Sequence, residues 1–254
     1  DDCSPKKVEI NNVIKQFSKK NKVSINFIQN NQNQGYDKNF NSLVKHAKGK
    51  WLIFMGDDDE FVPGSIQKLY SFLKKNDNLG YILKSHYLIH KDGSKELFKY
   101  FKDTKFFASG ESALLNLFRK SVYIAGFIIK RKLVLNHLTD RFDGSMLNQL
   151  YLMSEVILKN KSAYFNLPIT QQYESLSHND NDVMYDREKK VFIPRKPTLE
   201  ISVNFLNSFS LITKYIDLKY NLNTTSKIKN DMSKYLYPSL AIHRKAGLKI
   251  FYNY

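Results

Sequence analysis

The densest chemistry in the chain lies in Trp51-Leu52-Ile53-Phe54-Met55-Gly56-Asp57-Asp58-Asp59-Glu60, where a short apolar run of strand type ends in three consecutive aspartates. In open α/β sheets ligands sit beyond the carboxyl ends of the strands, which places these carboxylates at a crevice mouth. Adjacent carboxylates repel one another, and a hard divalent cation neutralises them. Held by one or two of them, such a cation also grips the phosphate oxygens of a nucleotide. The same residues also serve as an acidic turn that caps the next helix, since aspartate is a frequent turn and cap residue. On this segment alone both readings stand.

The flanking elements have the order needed to carry such a site. Residues 6–20 space Val8, Val13, Ile14 and Phe17 as an amphipathic helix, and Val23–Ile28 alternates like a strand. A polar loop from Asn30 to Gly35 leads to a second helix through Phe40, Leu43, Val44 and Ala47, ended by Gly49. Beyond the aspartates, Pro63-Gly64-Ser65 starts a helix through Leu73. Tyr81–His90 and Lys95–Phe101 read as a hairpin through Asp92-Gly93. Ser109 caps a helix over Glu111–Phe118, Val122–Ile129 reads as a strand, and Lys132–Leu138 and Gln149–Leu158 read as helices. Ala163–Leu167 reads as a strand stopped by Pro168, and residues 200–217 and 227–251 read as helices. Helices and strands alternate to about residue 130, which predicts an α/β fold with a mainly parallel sheet.

An ordered series surrounds the aspartates: Asp1-Asp2-Cys3-Ser4-Pro5, Asn33-Gln34-Gly35, Asn41, Ala47-Lys48-Gly49-Lys50-Trp51, then Asp57-Asp58-Asp59 and Pro63. This series resembles the nucleotide-sugar-binding half of family 2 glycosyltransferases with a GT-A fold. The Gly56-Asp57-Asp58-Asp59 form looks most like their abequosyltransferase-like branch. The resemblance covers about residues 1–135, and 136–180 more loosely. It implies a GT-A sheet with helices on both faces in a domain over 1–190, followed by a C-terminal helical, basic and aromatic extension over 191–254. It also implies that Asp1 or Asp2 accepts a hydrogen bond from the donor's base, that Asn33, Gly35 and Asn41 shape the loop and helix beside the nucleotide, and that Asp57 and Asp58 face the nucleotide sugar. Asp58, five residues before Pro63, matches the residue that holds Mn²⁺ or Mg²⁺, and Asp57 or Asp59 shares that metal. His178 falls where relatives bring a histidine or arginine back toward the diphosphate and the metal; a solvated loop histidine is the other reading. The family begins with a strand ending in Pro-Thr-Tyr-Asn or similar, and no such strand precedes Asp1; the expectation is a chain numbered from inside a longer protein.

Enzymes of this family are similar in using an inverting single displacement, in which a carboxylate removes the acceptor hydroxyl's proton. In most relatives that base lies in an acidic pair opening the helix before the last sheet strand. Here the matching stretch, Gly144-Ser145-Met146-Leu147-Asn148-Gln149-Leu150, has no carboxylate, and an amide is no general base at neutral pH. The nearest carboxylates are Asp143, just upstream, and Glu155, two turns into the helix. Asp143 is the preferred catalytic candidate because a loop residue reaches the crevice; a turn role for it is the other reading. A module with the same fold that binds nucleotide or glycan without turnover is the competing function.

Composition narrows the partners. The chain has 254 residues, 42% hydrophobic and 14% aromatic, enough for a packed core. Its single cysteine, Cys3, excludes an internal disulfide framework and a multi-cysteine zinc site. His46, His86, His90, His137 and His243 lack metal-ligand spacing, and there is no Gly-x-Ser-x-Gly or Gly-rich phosphate loop. The net charge of +16 is spread evenly over both halves, without a basic arm, so nucleic acid is not the expected partner. The expected partners are a nucleotide-diphosphate sugar donor and a glycan or lipid-linked acceptor, in bacterial surface polysaccharide assembly such as capsule or lipopolysaccharide; an oligomer is compatible with this reading. No apolar run approaches the ~20 residues of a membrane helix. The expected location is the cytoplasm, with a peripheral contact at the inner face of the cytoplasmic membrane. Residues 218–254, holding seven basic side chains and one acid, Asp231, interleaved with aromatics, either supply that contact or form a helical hairpin that packs its apolar side onto the sheet domain or a second subunit.

Overall fold

The computed structural model describes residues 1–174, 188–191 and 198–234. Helices α1 (Lys7–Asn21) and α2 (Tyr36–His46) precede strands β1 (Trp51–Ile53) and β2 (Asp59–Phe61) and helix α3 (Ser65–Lys75). Then come β3 (Tyr81–Ile89), β4 (Lys95–Phe98), β5 (Lys105–Phe107), α4 (Glu111–Leu117), β6 (Ile128–Lys130) and α5 (Arg131–Val134). The long α6 (Asn148–Lys159) leads into β7 (Ser162–Tyr173), and α7 (Leu199–Tyr220) and α8 (Thr225–Ser233) follow. The described strands form one sheet in the order β1-β6-β3-β7-β2, with β4 on β3 and β5 on β7.

Period-two burial along the central strands separates two apolar layers. Tyr81 and Leu83 of β3, Ile129 of β6 and Tyr164 of β7 enter one core with α2, α4, α6 and α7. Ile82, Ile128 and Ala163, their chain neighbours, enter the other with Leu69 and Leu73 of α3. Helices therefore cover both faces, as expected for an α/β fold. The sheet, however, is mixed rather than mainly parallel: β3 and β7 are parallel, whereas the β1–β6, β3–β6, β3–β4, β2–β7 and β5–β7 pairs are antiparallel. Helix–strand alternation specifies crossovers but not the short return strands between them, and those returns supply the antiparallel pairs.

Four features depart from the sequence pattern. β7 does not stop at Pro168. Pro168 lies opposite Ser85 at a register irregularity, one of the few places a proline fits within a paired strand. The Val122–Ile129 run is a strand only at its end, because Ala125 and Gly126, the latter left-handed at φ 74, form a turn ahead of β6. Val23–Ile28 is no strand and joins no ladder of the sheet. A groove of about 550 Å³ is lined by Ser24, Asn26 and Ile28 of this segment together with the end of α2 and residues 51–55. Isolated bonds hold its ends: the Val23 N–H donates to Ser18 O at 3.3 Å, the Asp1 nitrogen donates to Ile28 O at 2.8 Å, and the Asp1 carbonyl accepts from the adjoining Asn30 at 3.0 Å. Gly110, not Ser109, stands at the cap position of α4.

Helix α7 is capped by Thr198, whose side chain accepts the Ile201 N–H, and it inserts Phe209, Ile212 and Ile216 into the first core. Two lysines of the basic C-terminal stretch are tied back to the sheet domain: Lys219 pairs with the buried Glu155 and Lys227 with Glu111 at the surface, both at 2.6 Å. Residues 235–254, which carry much of the expected membrane contact, lie outside the described residues, as does His178. Among the described residues no helix is long and apolar enough to cross a membrane.

Candidate active site

β1 ends at Ile53 and the chain turns through Gly56-Asp57-Asp58 into β2, so the three aspartates sit at a strand end. Gly56 explains how two of them converge. A Cβ at this position would lie 2.8 Å from Asp58 Oδ1 and 2.6 Å from Asp59 Oδ2. Both oxygens therefore crowd one point above the Gly56 backbone, a space that a side chain would fill. Asp57 is exposed, whereas Asp58 and Asp59 are half-buried. Burial raises the Asp59 pKa, opposed by a hydrogen bond from the Tyr123 hydroxyl at 2.7 Å.

A second cluster of carboxylates lies around the start of α2. Asp2 accepts from Gln34 N–H and Gly35 N–H at 2.9 Å each and from the Asn30 amide at 2.8 Å. Asn33 Oδ1 also accepts the Gly35 N–H at 2.9 Å, and Gly35 has φ 83, a conformation that favours glycine. Asp1 Oδ1 and Oδ2 accept from Ser4 N–H and the Gln29 amide, both at 3.1 Å. Asp1, Asp2, Asn33 and Gly35 thus build one loop, and the turn they shape opens α2.

Asp143 lies in the loop before α6 with its side chain only 7% exposed, and Lys38 Nζ stands 3.3 Å from Asp143 Oδ2. The loop is held from below by Asp37, a buried residue of α2 that accepts from Met146 N–H at 2.9 Å and Asn148 N–H at 3.0 Å. Burial pushes the Asp37 carboxyl up to about 6 against the pull of these donors. Glu188 packs against the same helix start, accepting the Tyr36 N–H, and burial pushes it up to about 7, with Asp37, Asp2 and Asp143 adding to the rise. Asp37, Glu188 and Tyr123 were not singled out by sequence reasoning. They come from separate elements and share no local pattern, although Asp37, one residue into α2, has the first-turn position of a helix-start acid.

Two contacts join the clusters. Gln149, at the start of α6, donates to Val122 O at 3.1 Å, beside Tyr123. Phe40 of α2 stacks on Phe54 at the end of β1, with centroids 4.1 Å apart.

Two expected site residues are placed elsewhere. Asn41 is buried and used at both ends, donating to Thr139 O at 2.9 Å and accepting from the Asn148 amide at 2.7 Å. It clamps α2 to α6 instead of facing the loop beside it. Glu155 is fully buried, with Lys219 Nζ at 2.6 Å, His137 Nδ1 at 3.2 Å and the Tyr220 hydroxyl on its second oxygen. Its partners come from α7 and the segment after α5, so Glu155 fastens α7 to α6.

Comparison with known proteins agrees with this arrangement. The chain is 33% identical over 82 residues to an uncharacterized glycosyltransferase of Haemophilus influenzae, covering 32% of this chain and 26% of the relative. It is 27% identical over 103 residues to an uncharacterized glycosyltransferase of Methanocaldococcus jannaschii, covering 41% of this chain and 34% of that one. The matched stretches thus span between about a quarter and a third of these relatives' lengths. Among solved structures, S. aureus TarS 1–349 superposes with a TM-score of 0.54 at 16% identity, covering 86% of this chain and 72% of that one. The same fragment in complex with UDP gives 0.53 at 14% identity, over 89% and 62%. These structural likenesses establish the GT-A-like fold. Residues 1–133 match the profile of Glycosyl transferase family 2, and they contain the loop at the start of α2, the aspartate turn and Tyr123; the chain belongs to that family.

Proposed function

We propose that the protein is a metal-dependent, inverting glycosyltransferase that moves a sugar from a nucleotide-diphosphate donor to a glycan or lipid-linked acceptor. The observation that carries this reading is the convergence of Asp58 Oδ1 and Asp59 Oδ2 over Gly56 at the end of a sheet strand. An all-oxygen pair of this kind suits Mn²⁺ or Mg²⁺. Among the described residues no three His, Cys, Asp or Glu side chains form a complete metal cage, so phosphate oxygens and water would supply the remaining ligands. Asp58 and Asp59 would hold such a cation, with His178 a further candidate contact, and when bound it would supply positive charge beside the departing nucleoside diphosphate. The loop built by Asp1, Asp2, Asn33 and Gly35 borders the nucleotide, and the UDP complex of the TarS neighbour supports a uridine donor as the first to test.

Asp143 is the proton acceptor in this reading. The acceptor hydroxyl oxygen bonds to the sugar's anomeric carbon as the bond to the diphosphate oxygen breaks on the opposite face, and the hydroxyl proton passes to the Asp143 carboxylate. Lys38, 3.3 Å from Asp143 Oδ2, pairs with that carboxylate and orients it. The four-residue Gly56–Asp59 form supports the abequosyltransferase-like branch and a place in bacterial surface polysaccharide assembly.

Incubation with a panel of UDP-, GDP-, CDP- and dTDP-sugars, with Mn²⁺ or Mg²⁺, tests the reading by nucleotide release. Metal-dependent release from at least one donor is expected. Binding of a nucleotide without release under any condition would instead identify a silent nucleotide-binding module.

A further inference from the structure

Behind the aspartate turn lies a layer of polar side chains that neither the nucleotide loop nor Asp143 uses. Tyr123 donates its hydroxyl to Asp59 Oδ1 at 2.7 Å. Its ring is held on more than one side: the His86 ring lies 4.5 Å away at 35°, and Lys84 Nζ stands 4.5 Å from the ring centroid. His86 in turn stacks on Phe98 at 5.0 Å and 5°. Lys84 donates to Thr170 Oγ1 at 2.8 Å, and Thr170 donates to Ala125 O at 3.3 Å. Gly126 closes the layer, since a Cβ there would come within 2.6 Å of Lys84 Cε and 3.0 Å of Thr170 Cγ2.

A buried lysine and histidine are costly ways to support a tyrosine. Lys84 is 4% and His86 7% exposed. Burial lowers Lys84 to about 7 and His86 to about 3, because a charged form loses its hydration there. Apolar side chains of similar volume would pack at lower cost. What the polar set adds is orientation: a phenol fixed by its neighbours aims one hydrogen bond at one carboxylate oxygen. With Asp59 Oδ1 held by Tyr123, Oδ2 is the oxygen turned toward Gly56 and Asp58 Oδ1.

We propose that Tyr123 is the positioning residue of the aspartate turn, holding Asp59 so that its Oδ2 and Asp58 Oδ1 address one divalent cation together. The proposal rests on the metal-dependent reading above. Partners that donate to a ligating carboxylate set its direction, and their removal commonly lowers metal affinity 10–100-fold.

The test is a Mn²⁺ titration of the full chain, with and without UDP, followed by the electron paramagnetic resonance signal of the free ion. Wild type, Tyr123→Phe, Asp59→Asn and the double variant are compared. Tyr123→Phe is expected to weaken Mn²⁺ binding about tenfold and to have no further effect on the Asp59→Asn background. Unchanged affinity in Tyr123→Phe, or an equal loss on the Asp59→Asn background, overturns the proposal while leaving the metal reading in place. No Mn²⁺ binding by wild type under either condition overturns the metal reading and the proposal with it. A second measurement serves if Tyr123→Phe folds poorly: terbium luminescence excited through tyrosine in the wild-type chain. Emission that Mn²⁺ displaces and Asp59→Asn lacks is expected, and its absence from wild type counts against the proposal.

Discussion

Asp37 of α2 accepts the backbone N–H of Asn148, the first residue of α6, at 3.0 Å, so one helix caps another across 111 positions of sequence. The same carboxylate accepts the Met146 N–H at 2.9 Å, and Met146 has φ 58 in the left-handed region. The loop bearing Asp143 is therefore shaped by Asp37 rather than by its own sequence. Asp37→Ala should destabilise the fold by about 1–3 kcal/mol, the cost of leaving buried donors without an acceptor. Urea unfolding measures this. A midpoint equal to wild type would mean that the loop keeps its shape without the brace.

Gly56→Ala separates folding from site geometry. The atoms that a new methyl would strike, Asp58 Oδ1 and Asp59 Oδ2, are the far ends of flexible side chains. They can swing aside, so the melting temperature should stay within about 3 °C of wild type, a change below about 1 kcal/mol. Turnover should fall at least as far as in Asp58→Asn, because the same oxygens are driven from their common point. A fully active Gly56→Ala enzyme would remove the convergence of these oxygens from the mechanism.

Asp143→Asn addresses the proton. The amide cannot accept it, and removal of a general base typically lowers transfer by about 10²–10⁴-fold. Nucleotide affinity, measured by calorimetry with UDP and Mn²⁺, should be nearly unchanged, since Asp143 pairs with Lys38 on the α6 side of the site. A wild-type transfer rate in this variant would return Asp143 to a turn role.

Local signals in the chain were sufficient for much of the scaffold. Pro63-Gly64-Ser65 opens α3, Asp92-Gly93 turns the β3–β4 hairpin, and the apolar run Trp51–Met55 contains β1. In the hairpin, Asp92 accepts both the N–H and the hydroxyl of Ser94, which is short-range chemistry. Val23–Ile28 shows the opposite: it alternates like a strand, but a ladder needs a hydrogen-bonding neighbour, and this segment has none in the sheet. The aspartate turn was legible because its three carboxylates are consecutive. Tyr123, Lys84, Thr170 and Asp37 were not, because each acquires meaning only through a partner on a different element. Asn41 shows the converse, since its spacing matched the nucleotide loop while its amide is spent between α2 and α6.

Glu188 predicts a pH dependence of stability. Burial raises its folded value from 4.5 to about 7, so between these values the folded chain binds more protons at this site than the unfolded chain does. Stability from this group is fully present below about 4.5 and is lost as pH rises through about 7. His86 acts in the opposite direction, because burial lowers it to about 3 and acid therefore favours the unfolded chain. The contribution of Glu188 is isolated by comparison with Glu188→Gln. Relative to wild type, the glutamine variant should gain melting temperature as pH is raised from 5 to 8. A constant difference across that range would show that Glu188 titrates alike in the folded and unfolded chains.

Glu155 was a second candidate for the proton acceptor, and its surroundings predict a different phenotype. Lys219 Nζ lies 2.6 Å from Oε1, and His137 Nδ1, at 3.2 Å, and the Tyr220 hydroxyl share Oε2, where α6 meets α7 and the segment after α5. Removing one partner of a buried charge cluster leaves the others uncompensated, which costs about 3–5 kcal/mol. Glu155→Ala should therefore lower stability by that order and release α7 from α6, seen as faster hydrogen exchange over Leu199–Tyr220. Glu155→Gln, which keeps the volume and part of the hydrogen bonding, should fall between Ala and wild type. At a temperature where both variants remain folded, nucleotide release should proceed near the wild-type rate. A folded Glu155→Gln enzyme with transfer reduced 100-fold or more would instead place Glu155 in the chemistry and displace Asp143 as the proton acceptor.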